Sequence, residues 1–227
     1  MKTVILMILN FLLILPAALS QESNTTQESN KSKVSFGFNI GGGQNSNGYR
    51  LTPDDYGFEY YEGDALFTTG LNVSMFVTER LRPRFEFAYS EMKYGLIWGD
   101  SYTNFDKTVT KTMNLNLNLN LDYLVLNGKK FQLFFSPGIV TEYVVGSTHK
   151  NYHTDGTTNM NNYNPITDQY PKSIAGANFS ILAKYKLTEH VGLTVTPGYN
   201  YYFRKYVTTN DKPYTRSLLN FGVEYTF

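Results

Sequence analysis

Apolar and polar residues alternate without a break from Met113 to Asp122, reading M-N-L-N-L-N-L-N-L-D. A period of two belongs to a β-strand with two unlike faces. Met113, Leu115, Leu117, Leu119, Leu121 and Tyr123 form one face; Asn114, Asn116, Asn118, Asn120 and Asp122 form the other. Asparagine is a poor strand former, so two different environments, not propensity, account for the pattern. The same alternation elsewhere predicts eight strands, over about 34–43, 65–78, 83–96, 107–126, 130–146, 173–187, 190–207 and 214–227. The intervening segments alternate in length. Long loops are predicted over 44–64, 97–106 and 147–172, and a modest one near Asn210-Asp211. Short connections are predicted at 79–82, at Asn127-Gly128 as a tight hairpin of the primed type, and at Thr188-Glu189.

An even number of strands, short turns at one end and longer loops at the other is the plan of a transmembrane β-barrel. A soluble eight-stranded barrel would turn its apolar face inward, and volume argues against that. Roughly forty large apolar side chains would need an interior that eight strands cannot enclose. The polar face, rich in Gly, Ser, Asn and Thr, suits a narrow lumen. Aromatic residues also gather at two levels. Tyr123, Phe131, Tyr185, Tyr225 and Phe227 lie near the short-turn ends, and Tyr89, Tyr143, Tyr199, Tyr201 and Phe203 toward the loops. Pro137-Gly138 and Pro197-Gly198 stand 60 residues apart in equivalent strands, with Leu133/Leu193 and Tyr143/Phe203 matching at the same offset. Proline cannot donate to a ladder, so a bulge or kink is expected at each Pro-Gly.

Composition narrows the class. Residues 1–20, with Lys2 ahead of an apolar run and a small-residue stretch at 16–20, read as a secretory signal peptide. Residues 21–33 repeat QESN and read as a disordered leader, leaving 34–227 for the barrel. The absence of cysteine excludes disulfides and a lipidated cysteine. A net charge of +1 with no long basic run argues against a nucleic-acid partner.

The ending Leu219-Asn220-Phe221-Gly222-Val223-Glu224-Tyr225-Thr226-Phe227 resembles the C-terminal strand signal read by the barrel-assembly machinery of outer membranes. With the paired Pro-Gly strands, residues 34–227 resemble the small outer membrane β-barrel domain family common in Bacteroidetes. The resemblance implies an all-β, eight-stranded antiparallel barrel in the outer membrane of a Gram-negative bacterium, contacting outer-membrane lipid. It says little of activity, since that family has few assigned functions.

Several constellations remain. Arg84, Glu86, Asp122, Gln132, Glu142, Lys184, Lys186, Arg204 and Glu224 fall on the polar face. Confined in a lumen, such charges must pair, as a structural plug or along a conducting path; Arg84, Glu86, Lys184, Asp122 and Glu224 are the expected members. Asp54, Asp55, Tyr56, Glu59, Tyr60, Tyr61 and Glu62 form an acidic, aromatic loop patch for a partner or cation. The triple glycine at 41–43 lacks the Lys-Ser/Thr of a phosphate loop. His149, His153 and Asp155 have metal-like spacing without a helix to align them, and His190 reads as solvated at a turn. No GxSxG is present, and no catalytic residue, metal or cofactor is expected. A monomeric, non-enzymatic barrel displaying its external loops for surface contact or envelope support is the leading expectation. A narrow porin-like passage and a membrane subunit of a secretion system stay open beside it.

Overall fold

The structure, a computed structural model, describes residues 34–46, 58–98, 105–163, 173–203 and 214–227; side chains at 46, 58–65, 94–98, 105–106, 108 and 161–163 are outside that description. Its strands are β1 Val34–Ser46, β2 Phe58–Met75, β3 Leu81–Trp98, β4 Phe105–Asn127, β5 Phe131–His153, β6 Thr158–Tyr163, β7 Ser173–Lys186, β8 Val191–Tyr202 and β9 Thr215–Thr226. Each consecutive pair from β1 to β5 is antiparallel, as are β5–β7, β7–β8 and β8–β9, and β1 pairs with β9 to close the ring. Eight strands thus make a closed antiparallel barrel. The extra strand, β6, pairs only with β5, on the edge that β7 covers lower down.

Alternation places the faces as expected. Phe36, Phe38, Ile40, Leu71, Leu119, Ile139, Phe179, Phe221 and Val223 are exposed on the outer wall, while Asn39, Asn116, Asn120, Ser136, Asn178 and Ser180 are buried within. A closed wall with an outward belt of large apolar residues defines a transmembrane barrel, because hydrocarbon admits no unpaired backbone. Both aromatic levels face outward.

Two short turns share one chemistry. In Val77-Thr78-Glu79-Arg80-Leu81 the Thr78 hydroxyl accepts from the backbone N–H of Arg80 and Leu81, and in Leu187-Thr188-Glu189-His190-Val191 the Thr188 hydroxyl accepts from those of His190 and Val191. Threonine here stands in for a backbone acceptor and fixes the turn. His190 is exposed there, with Nδ1 2.8 Å from the Thr226 carbonyl oxygen.

Four expectations are corrected. The segment 147–172 is not wholly loop: β5 runs on to His153 and β6 folds back on it, through a turn in which Gly156 takes φ +80° and the Asp155 carboxylate accepts from Thr157 N–H and Oγ1. The loop 44–64 gives up Phe58 onward to β2. The hairpin at Asn127-Gly128 is displaced. An extra residue in β4 between Leu124 and Leu126 shifts the register by one, so Gly128 N–H bonds the Phe131 carbonyl and Lys129-Lys130 become the central residues. Finally, the irregularity at each Pro-Gly is a lapse in pairing and not a bulge. Pro137 stays in register with Phe179 of β7, and Pro197 with Leu219 of β9. Pairing lapses on one side only, between Gly138 and Phe135 against β4 and between Gly198 and Val195 against β7, and the register resumes unshifted. A strand residue sends its N–H to one neighbour only, so a proline costs one ladder rather than both.

Candidate functional site

The lumen is built in layers. At the short-turn end Phe76, Leu124, Phe134 and Leu182 form an apolar floor. The Arg82 guanidinium lies on it, 4.4 Å from the Phe134 ring centroid and 5.6 Å from that of Phe76. Arg82 donates to Asp122 at 2.9 Å and to Glu224 at 2.9 Å; Arg84 donates to Asp122 at 3.1 Å and to Glu86 at 3.0 Å. Lys184 pairs with Glu224 and reaches the Thr226 hydroxyl at 3.2 Å. Three cations thereby meet three carboxylates drawn from β3, β4, β7 and β9. Charge balance and shared hydrogen bonds are what make such burial tolerable.

Toward the loop end a second knot forms around Arg216. Its Nη1 is 2.9 Å from Glu142 Oε2, its Nη2 donates to the Tyr214 hydroxyl at 2.6 Å, and its Nε to Asn45 Oδ1 at 2.7 Å. The Tyr202 hydroxyl donates to Glu142 at 2.9 Å, and the Tyr202 and Tyr214 rings lie 4.7 Å apart. Leu66, Met92, Val140 and Ile174 pack around these rings.

Between the two knots Asn116, Asn118 and Asn120 of β4 meet Asn178, Ser180, Asn200 and Asn220 around a polar cavity of about 30 Å³. A second cavity, of about 20 Å³, touches Asn39, Asn72 and Thr194. Each has room for a water or two. The side-chain oxygens of Asn39, Asn72, Asn116, Asn118, Asn120 and Asn220 have no protein partner, so hydration suits them better than an apolar filling.

Of the residues expected in the lumen, Arg84, Glu86, Asp122, Lys184 and Glu224 come together in the lower knot, and Glu142 joins the upper one instead. Gln132 is buried beside Asn127, to which it donates at 3.0 Å. Lys186 is half-buried at the end of β7 with no ion pair among the described residues, and Arg204 lies outside them. Arg82 and Arg216, which anchor the two knots, were not foreseen. Parity marks both, since Arg82 is two residues before Arg84 and Arg216 eight before Glu224. Asp54, Asp55 and Tyr56 lie outside the described residues, and Glu59, Tyr60, Tyr61 and Glu62 fall in β2 with their side chains outside the description.

Beyond the outer aromatic level, His149 Nδ1 is 2.8 Å from Thr110 Oγ1, and burial lowers its pKa. Hydrogen bonds from Thr157 hold the Asp155 carboxyl below its ordinary range. His153 Nε2 is 3.1 Å from Asn159. Among the described residues no group of His, Asp and Glu gathers as a metal site. The triple glycine serves packing: a Cβ at Gly41 would strike the Leu219 carbonyl, and one at Gly43 the Ser217 carbonyl, so these positions let β1 lie close against β9.

No family model matches the sequence, and no curated protein does. Among solved structures, the chain is similar to Neisserial surface protein A (13% identity, 86% of this chain and 97% of that one, TM-score 0.47). It is also similar to OprG of Pseudomonas aeruginosa (12%, 86% and 95%, TM-score 0.46) and to the N-terminal β-barrel domain of P. aeruginosa OprF (13%, 85% and 97%, TM-score 0.43). Likeness of this degree carries no functional weight. The class, an eight-stranded transmembrane β-barrel, follows from the chain's own ring of paired strands and its outward apolar belt.

Proposed function

We propose that this chain is a non-enzymatic barrel of a Gram-negative outer membrane, and that its lumen is a structural plug beneath loops displayed at the cell surface. The observation that carries the reading is the pair of buried, mutually satisfied knots at Arg82 and Arg216. Each joins side chains from across the barrel where a passage would need open water. Opening either would leave buried charges unpaired, a cost of several kcal/mol. The β5–β6 hairpin, standing beyond Tyr143 on a rigid wall, is the kind of platform on which contact surfaces are built. Within this reading, residues 1–20 direct export and are removed, 21–33 form a leader, the strand ending at Phe227 is recognised by the assembly machinery, and the barrel is a monomer.

Planar-bilayer recording of the purified chain tests the plug. Expected is no stable unitary conductance, with Glu86→Ala and Arg82→Ala each giving at most transient openings. Steady conductance of the unaltered protein, changed by Glu86→Ala, would establish a passage instead.

A further inference from the structure

Three neighbouring strands carry the lipid-facing side of the wall past the outer aromatic level, and there its chemistry changes. Parity keeps Glu91 and Lys93 on the face of Tyr89, and Lys107 and Lys111 on the face of Leu115. In β5 the register shift opposite Met113 and Asn114 inverts parity, so Thr148, Lys150 and Tyr152 join that face. Lys93 stands directly opposite Lys111, Lys111 opposite Thr148, Lys150 opposite Val109, and Lys107 opposite Tyr152. Four lysines therefore share one continuous patch. Glu91, 2.8 Å from Lys111, is the one carboxylate that forms an ion pair with Lys93, Lys111 or Lys150 among the described residues, and it also accepts from the Tyr89 hydroxyl at 2.8 Å. Lys150 lies 4.8 Å from the Tyr152 ring, and Met160, strongly exposed, is opposite Lys150 on β6.

Like charges facing one another across a ladder are unfavourable unless anions offset them, and Glu91 alone supplies one negative charge to Lys93, Lys111 and Lys150. Depth indicates which anion. Lys93 and Lys111 each stand twelve residues along their strands from Leu81 and Tyr123, the pair at the short-turn rim. Tilted strands climb about 2.5 Å per residue, placing both lysines about 30 Å above that rim, just past a hydrocarbon band about 25 Å tall. We infer that this patch binds the phosphate groups of anionic lipid in the outer leaflet, the lipid's chains lying on Phe87, Leu115, Leu117 and Tyr143 below. The assignment rests on the outer-membrane reading and adds to it a defined lipid site on β3, β4 and β5.

The test uses the full chain in phosphatidylcholine nanodiscs, titrated with diphosphorylated lipid A, with the same lipid stripped of phosphate, and with inorganic phosphate. Expected is a clear preference for the diphosphorylated lipid, weakened roughly fivefold per lysine removed and roughly a hundredfold in Lys93→Gln/Lys111→Gln/Lys150→Gln. Lys129→Gln/Lys130→Gln, at the opposite rim, should bind as the unaltered protein does. Where the triple variant does not fold, Lys93→Gln alone must show its fivefold loss. Equal binding of both lipids, or an unchanged affinity in the variants, overturns the site. Competition by millimolar inorganic phosphate would make it a free-phosphate site and overturn the lipid assignment. A chain that never enters the nanodisc refutes the membrane reading itself, whereas one that inserts without lipid preference refutes only this proposal.

Discussion

At the scale of single residues, burial makes Arg216 a side chain whose loss should be strongly felt. It is fully enclosed and bonds Glu142, Tyr214 and Asn45 together. Arg216→Ala would strand the Glu142 carboxylate with only the Tyr202 hydroxyl as a strong partner, and a buried pair broken on one side costs about 3–5 kcal/mol. Denaturant unfolding in micelles should show that loss. Arg80→Ala, at an exposed turn, should stay within about 0.5 kcal/mol of the unaltered protein. Arg216 also shows where sequence reading stops. Its sidedness is written in the period of two, but its partner is not. Glu142 lies 74 residues away in β5 and meets it only because the barrel closes. Alternation puts Glu142 and Glu224 on the same face of the wall; height along the lumen separates them.

At the scale of elements, β4 tests the assignment of faces. Leu117 looks toward lipid and Asn118 into the lumen cavity. Leu117→Arg should cost about 2–4 kcal/mol, as a charge does near the midplane of a barrel's lipid face. Asn118→Ser keeps a small polar group in a hydrated space and should be mild. Refolding yield and unfolding midpoints of the two variants should differ accordingly, and equal tolerance would mean the faces are exchanged. The wall strands were legible because hydrocarbon outside and a narrow polar bore inside impose opposite demands on successive residues. β6 was not legible for the converse reason. Thr158–Tyr163, TNMNNY, stands beyond the membrane, where neither face meets hydrocarbon and no alternation is required. What holds it is the exposed edge of β5, a tertiary cause that local composition cannot carry. The Pro-Gly pairs failed as bulge markers because a ladder can lapse on one side without a change of register.

At the scale of the whole molecule, everything above depends on the ring being shut between the first and last strands. β1 and β9 pair from Ser35↔Thr226 to Ser46↔Thr215, and the glycines at 41 and 43 allow the close approach. Phe227 N–H adds a bond to the Val34 carbonyl at 3.0 Å, and the Phe36 and Phe227 rings meet edge to face, centroids 5.7 Å apart. The chain has no cysteine, so an introduced pair has no competitor for oxidation. Phe38 and Val223 are directly opposite one another on the lipid face. Facing residues of antiparallel strands lie about 4.5–5.5 Å apart at Cα, inside the range a disulfide spans. Phe38→Cys/Val223→Cys should therefore oxidise readily in the folded protein and migrate faster than its reduced form on a denaturing gel. Linking most of the chain into one loop should also stabilise it by about 5 kcal/mol. Phe38→Cys/Leu219→Cys places the second sulfur four residues further along β9, out of reach in a closed ring of this register. Its failure to crosslink, beside success of the first pair, would fix both closure and register. Crosslinking of both pairs at equal rates would mean that β1 and β9 slide past one another and that the barrel is not shut.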